Sequence, residues 1–176
     1  MDGGRGDGEA VTASEQGRPV VRIAAALILD RGGRCLLVRK RGTTALMQPG
    51  GKIDADETAE RALVRELREE LGVVVDPTVP RFLGVFGAEA ANEPGHLVEA
   101  QTFHLPFDAE VRAAAEIAEV VWIDPFAPPD RPIAPLTRDT ILPIARDLAR
   151  DATSGQVGPG SVSERDDPAL HIRREW

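Results

Sequence analysis

Residues 51–73 read GKIDADETAERALVRELREELGV, and the periodicity of this stretch decides what fold is built around it. Taken as a helix from Glu57 to Leu71 at about 100° per residue, it stacks Leu63, Leu67 and Leu71 into one apolar stripe, with Val64 at the edge. Glu66, Glu69 and Glu70 fall within an arc of about 100° beside that stripe. Ala59 and Ala62 share the arc and, being small, leave room for an ion or a phosphate. Arg61, Arg65 and Arg68 face outward, and Arg65, one turn before Glu69, is placed to hold that carboxylate. Three carboxylates converging at the border of a core repel one another, and a bound hard dication removes the repulsion. RELREE alone is ordinary for a solvated helix face with ion pairs. Its flanks change the reading: Pro49-Gly50-Gly51 closes an apolar run and Gly72 suits a helix C-cap, so strand, Gly-rich loop and acidic helix form a loop–helix–loop metal site.

The spacing of Gly51, Glu57, Arg65-Glu66-Leu67, Glu69-Glu70 and Gly72-Val73 resembles the Nudix box, Gly-x5-Glu-x7-Arg-Glu-U-x-Glu-Glu-x-Gly-U with U a bulky aliphatic residue, and every fixed position is met. The resemblance implies an α/β fold, an α/β/α sandwich with a mixed β-sheet and a catalytic loop-helix-loop. It implies a hydrolase that cleaves a pyrophosphate bond in a nucleoside diphosphate linked to another moiety, with Mg2+, or Mn2+ in its place. Residue by residue, Glu66, Glu69 and Glu70 match the family's metal-binding glutamates and the carbonyl of Gly50 a frequent main-chain ligand. Arg65 matches the arginine that orients a catalytic glutamate, and Glu57 the first glutamate of the box, an outer residue. Gly51 and Gly72 complete the structural positions. Glu66 is a candidate base for the attacking water, although the glutamate in that role varies within the family. An oxygen-only donor set suits a hard ion rather than Zn2+.

Composition narrows the partners. The chain has 176 residues, 42% hydrophobic, a formal net charge of −8 and a pI near 4.9, which argues against nucleic acid as a main partner because a phosphate backbone needs a basic surface. A small phosphorylated nucleotide remains compatible where a metal bridges two negative groups. Cys35 is the only cysteine; it sits in the apolar run RCLLV and reads as a buried core thiol. The N-terminus shows no signal peptide and no run is long and apolar enough for a membrane span, so a cytoplasmic protein is expected.

Along the chain, residues 1–18 read as a disordered tail, 19–150 as the domain and 151–176 as a flexible tail. Val20–Leu29 reads as a buried strand, Asp30–Gly33 as a hairpin turn, Arg34–Arg39 as the returning strand and Ala45–Gln48 as a short strand. Val73–Val75, Arg81–Phe86, an antiparallel Leu97–Leu105 and Val120–Ile123 follow as strands. Five prolines between Pro125 and Pro135 mark a loop, and Thr137–Arg150 reads as an amphipathic helix that Pro143 starts or kinks.

Further site candidates are Arg39, Lys40 and Arg41, which follow a strand and can grip phosphates or simply form a solvated turn, and Gln48, which stands where the family carries an aliphatic residue and can face the substrate. Glu89, Asn92, Glu93 and His96 lie in a loop able to approach the site, as do Glu116 and Glu119. His104 and Trp122 read as packed residues, and Thr137, Arg138 and Asp139 open the last helix, where a base can be read. The chain lacks Tyr and the downstream motifs of several Nudix branches, which leaves a (deoxy)nucleoside triphosphate or damaged nucleotide as first substrate. ADP-ribose or another nucleotide sugar is the alternative, and a non-catalytic nucleotide sensor a second. The resemblance also allows a homodimer.

Overall fold

The computed structural model describes residues 11–13, 17–107, 110–154 and 172–174. In chain order its elements are β1 (Val11–Ala13), β2 (Pro19–Leu29), β3 (Cys35–Lys40), β4 (Gly50–Lys52), α1 (Ala59–Leu71), β5 (Val73–Val75), β6 (Arg81–Glu89), β7 (Leu97–Pro106), β8 (Ile117–Ile123), a π-helical turn (Thr137–Ile141), α2 (Leu142–Ser154) and β9 (Ile172–Arg174). Among the described residues the main sheet has seven strands in the order β6-β7-β2-β3-β8, with β1 and β4 also on β2. It is mixed: β2 runs parallel to β7 over ten residue pairs, Val20 with Leu97 to Leu29 with Pro106, while β6–β7 and β3–β8 are antiparallel.

β2 explains the architecture. Successive strand residues point to opposite faces. Ala24, Ala26 and Ile28 enter one core with Leu63, Leu67 and Leu71 of α1, and Leu27 and Leu29 enter a second core with Leu37, Ile141 and Leu142 beneath α2. A strand covered on both faces carries no polar alternation, which is why residues 23–29, IAAALIL, form an unbroken apolar run. The expected sandwich of helix, mixed sheet and helix is therefore present.

Helix α1 begins two residues later than the spacing suggests. Thr58 is its N-cap, accepting from Arg61 N–H at 3.4 Å, and Gly72 ends it at φ 66°, giving its N–H to Arg68 O at 3.0 Å. That left-handed φ strains any residue with a Cβ, so Gly72→Ala is expected to cost about 1 kcal/mol, read as a lowered urea midpoint at unchanged m-value.

Several expectations are corrected. Ala59 and Ala62, expected to leave room for an ion or a phosphate beside the carboxylates, are 6% and 0% exposed and packed into the core beneath α1, so that space is filled. β7 pairs in parallel with β2 and antiparallel with β6, so it is not purely antiparallel. Ala45–Gln48 forms only the isolated bridges Leu46–Ile133 and Val38–Met47. Within the two expected tails, residues 11–13 pair with β2 and residues 172–174 with β5; residues 1–10, 14–16, 155–171 and 175–176 lie outside the described residues. The last helix opens with the π turn because Pro143 has no N–H to close a bond to Asp139, and Leu142 N–H reaches back to Thr137 O instead. Cys35 is fully buried, and burial pushes its thiol up to about 12, so it packs as an inert core residue.

Candidate active site

Gly50 and Gly51 open β4, which pairs antiparallel with β2, and side chains are excluded at both positions. A Cβ on Gly50, whose φ is 140°, would lie 2.1 Å from the Ala24 carbonyl oxygen, and one on Gly51 would lie 2.4 Å from the Glu66 carboxylate carbon. Glu66 thus rests on the bare Cα of Gly51. Gly50 N–H donates to Glu70 Oε2 at 2.9 Å, tying the loop to the last turn of α1.

Two cations of the chain hold the carboxylates. Arg65 donates to Glu57 through Nε at 3.1 Å and Nη2 at 2.8 Å, to Glu66 Oε1 at 2.6 Å and to Lys52 O at 3.0 Å. Glu69 Oε2 is farther, at 3.7 Å, and its side chain is 54% exposed. Arg65 therefore positions Glu66 and Glu57 more than the expected Glu69. Lys40 Nζ donates to Glu116 Oε1 at 2.5 Å and to Gly50 O at 3.3 Å, and lies 3.1 Å from Glu70 Oε1. That Glu70 oxygen is buried and has the ion pair but no aligned hydrogen bond.

Glu116 reaches this point because its loop is pinned. Ala114 N–H donates to Glu70 O at 2.9 Å and Arg41 N–H to Glu116 O at 2.7 Å, and between them Ala115 takes the strained φ of 47°. Burial drives the Glu70 carboxyl up to about 7 against the pull of Lys40 and of Gly50 N–H. Glu66 moves the same way for the same first cause, opposed by Arg65. Burial works against the Lys40 ammonium, yet Glu70 and Glu116 hold it above its ordinary range.

The three box glutamates do not converge as the wheel suggested: among the described residues no three His, Cys, Asp or Glu side chains form a metal-ligand cluster. Each carboxylate is drawn to the nearest cation of the chain. The donors still fit a divalent ion. Gly50 O, Glu70 Oε1 and Glu116 Oε1 surround one positive charge, the Lys40 ammonium, with Glu66 beside them on Gly51. A set of carboxylate and carbonyl oxygens around a cation is what a hard metal takes.

Lys40, Gly50, Gly51, Glu66 and Glu116 line a cleft of about 480 Å3. Val21, Ile23, Met47, Val98 and Leu136 give it aliphatic walls, and Gln48 and Thr137 are also in its lining. Gln48 is 6% exposed and Thr137 fully buried; Thr137 Oγ1 donates to Gln48 Oε1 at 2.8 Å. The loop expected to approach the site does so: Glu89, Asn92 and Glu93 line the rim, Glu89 gripped by Arg18 at 2.5 and 2.7 Å and Glu93 by Lys52 at 3.1 Å.

Arg39 and Arg41 are not in the cleft lining. Arg39 donates to Glu119 and to Thr43 O, and Arg131 grips the same glutamate, so that hydrogen bonds from Arg131 and Arg39 hold Glu119 down to about 2. Strand alternation turns Lys40, between two arginines, toward the site. Arg138 and Asp139 pair with each other in solvent. His96 turns its Nδ1 to Pro94 O, and burial drives His104 down to about 4 outside the cleft. Trp122 packs against the core, with Arg34 above its ring.

A family model described as NUDIX domain matches residues 19–141. The chain is 32% identical over 120 residues to a CTP pyrophosphohydrolase of Escherichia coli K12, covering 66% of this chain and 84% of that protein. It is 29% identical over 107 residues to an ADP-ribose pyrophosphatase of Methanocaldococcus jannaschii, covering 58% and 61% respectively. The crystal structure of a MutT NUDIX hydrolase from Burkholderia pseudomallei superposes with a TM-score of 0.60 at 27% identity, over 70% of this chain and 96% of that one. Among the described residues no helix is long and apolar enough to cross a membrane. The match from Pro19 through the π turn, together with carboxylates arrayed on a Gly-rich loop and one acidic helix, makes the chain a member of the NUDIX family, a hydrolase of phosphoanhydride bonds.

Proposed function

We propose that this protein is a Mg2+-dependent pyrophosphohydrolase that converts a nucleoside triphosphate to the monophosphate and pyrophosphate. The observation that carries the reading is a single cleft lined both by Gly50, Glu66, Glu116 and Lys40 and by aliphatic side chains with Gln48. The oxygen donors suit a metal-bound polyphosphate and the aliphatic side chains a nucleoside. Kinship to a pyrophosphohydrolase named for CTP supports the same choice.

The residues that would hold Mg2+ are the Gly50 carbonyl, Glu66, Glu70 and Glu116, with Glu69 of the box adjacent; Mn2+ suits the same oxygens. The ion supplies charge neutralisation on the polyphosphate and acidifies the attacking water. Water oxygen then bonds to phosphorus, the anhydride P–O bond breaks and the leaving phosphate takes that electron pair. Glu66, which lines the cleft beside these donors, is the group proposed to receive the water's proton. Arg65 keeps Glu66 oriented, and Lys40, once separated from Glu70, supplies positive charge for the phosphates.

The test is incubation with Mg2+ and a panel of nucleoside triphosphates, oxidised nucleotides, ADP-ribose and sugar nucleotides, with product identification. Pyrophosphate and a monophosphate from a triphosphate are expected. Two monophosphate products from ADP-ribose, with triphosphates untouched, overturn the substrate assignment. Binding without turnover of any compound identifies a nucleotide sensor.

A further inference from the structure

The cleft lining carries a polar group that the hydrolytic chemistry does not use. Gln48 Nε2 is buried and has no hydrogen-bond partner, in a side chain that is 94% withdrawn from solvent. The orientation of its amide is determined by Thr137, whose buried hydroxyl has Gln48 Oε1, 2.8 Å away, as its acceptor. With Oε1 engaged by Thr137, the unpartnered group of the amide is its Nε2 donor, in a residue that lines the cleft. A buried unsatisfied donor lining a ligand cavity indicates a missing acceptor.

We propose that Gln48 is a specificity-determining residue that reads the nucleobase and selects bases with two neighbouring acceptors. This deepens the nucleotide reading above and rests on it. Cytosine offers such a pair at O2 and N3, and guanine at O6 and N7. Uracil and thymine set N3–H against the amide donors, and adenine places an amino group beside its ring nitrogen acceptors. Oxidation of guanine at C8 converts N7 to an N–H donor and removes the pair. The selection therefore runs against the damaged nucleotide that the sequence reading placed beside an ordinary (deoxy)nucleoside triphosphate as first substrate. The aliphatic side chains accept any base. No aromatic ring lines the cleft among the described residues to add a stacking preference.

The experiment is a competition of CTP, GTP, UTP, ATP and 8-oxo-GTP for the Mg2+-loaded protein, reading kcat/KM for each. CTP or GTP, or both, are expected to exceed UTP, ATP and 8-oxo-GTP by roughly tenfold or more, and the two separate arms identify which acceptor edge is read. Gln48→Leu should collapse the preference towards unity through KM. Gln48→Glu, with acceptors in place of donors, should move it towards UTP, and Thr137→Val, which releases the amide to turn, should narrow it. A preference that survives Gln48→Leu and Gln48→Glu unchanged overturns the inference while leaving a pyrophosphohydrolase in place. Failure of the parent protein to hydrolyse any triphosphate overturns the functional reading itself.

Discussion

Glu70→Gln is expected to lower kcat/KM by about 10^3, within the range for losing a group that handles a proton or the charge of the reacting phosphates. The same change should make the metal-free protein less sensitive to pH. Burial raises the Glu70 carboxyl from 4.5 to about 7 on folding, so the folded state holds a proton more tightly than the unfolded one. That contribution is complete below pH 4.5 and is lost as pH rises through 7. The side chain is only 1% exposed, and the interval corresponds to about 3 kcal/mol. Glutamine carries no such proton, so the unfolding free energy of the variant should fall less than that of the parent between pH 5 and pH 8. Mg2+ should stabilise the parent at pH 8 and the variant weakly. Activity within threefold of the parent would remove Glu70 from the catalytic machinery, and parallel pH–stability curves would remove the buried ionisation.

Gly50→Ala should produce the largest loss of stability. The added Cβ meets the Ala24 carbonyl oxygen at 2.1 Å and the Ala25 Cα at 2.9 Å, and the backbone is at φ 140°, a region that only glycine enters readily. Neither neighbour is a side-chain end that can rotate away, since both belong to the backbone of β2, where Ala24 and Ala25 are buried. The cost is about 4 kcal/mol or more, a large share of the stability of a domain this size. It should appear as a drop in the urea midpoint and loss of the soluble folded fraction on expression. Gly51→Ala is the informative companion. There the obstacle is the Glu66 carboxylate at 2.4 Å, a side chain that can swing aside, so the variant should fold and lose activity. If Gly50→Ala folds as stably as the parent, the close approach of Gly50 to β2 is wrong.

Much of the helix was legible beforehand. Leu63, Leu67 and Leu71 are buried together as their spacing requires, Gly72 caps the helix in the left-handed conformation, and Gly50 and Gly51 stand where side chains are excluded. These features depend on dihedral preferences and on a fixed repeat, so a short window of residues carries them. What was misread depended on neighbours. Ala59 and Ala62 were expected to leave room beside the carboxylates, but they pack into the core beneath α1 and that space is filled. The wheel made Glu69 the partner of Arg65, but Glu57 and Glu66 compete for the guanidinium at shorter range.

By itself, then, the sequence determined the acidic helix, the glycines before and after it, and the family. Those are set by local geometry and residue chemistry. Tertiary structure alone decided which cation the carboxylates meet, which of them are buried and what lines the cleft. Lys40 and Glu116 are 76 residues apart and Gln48 and Thr137 are 89 apart. They meet because β3 pairs with β8 and because the π turn packs against the strand-like segment before the Gly-rich loop. Burial, which raises Glu66 and Glu70 while Glu69 stays in solvent, is a property of the packed sheet and no spacing of residues encodes it.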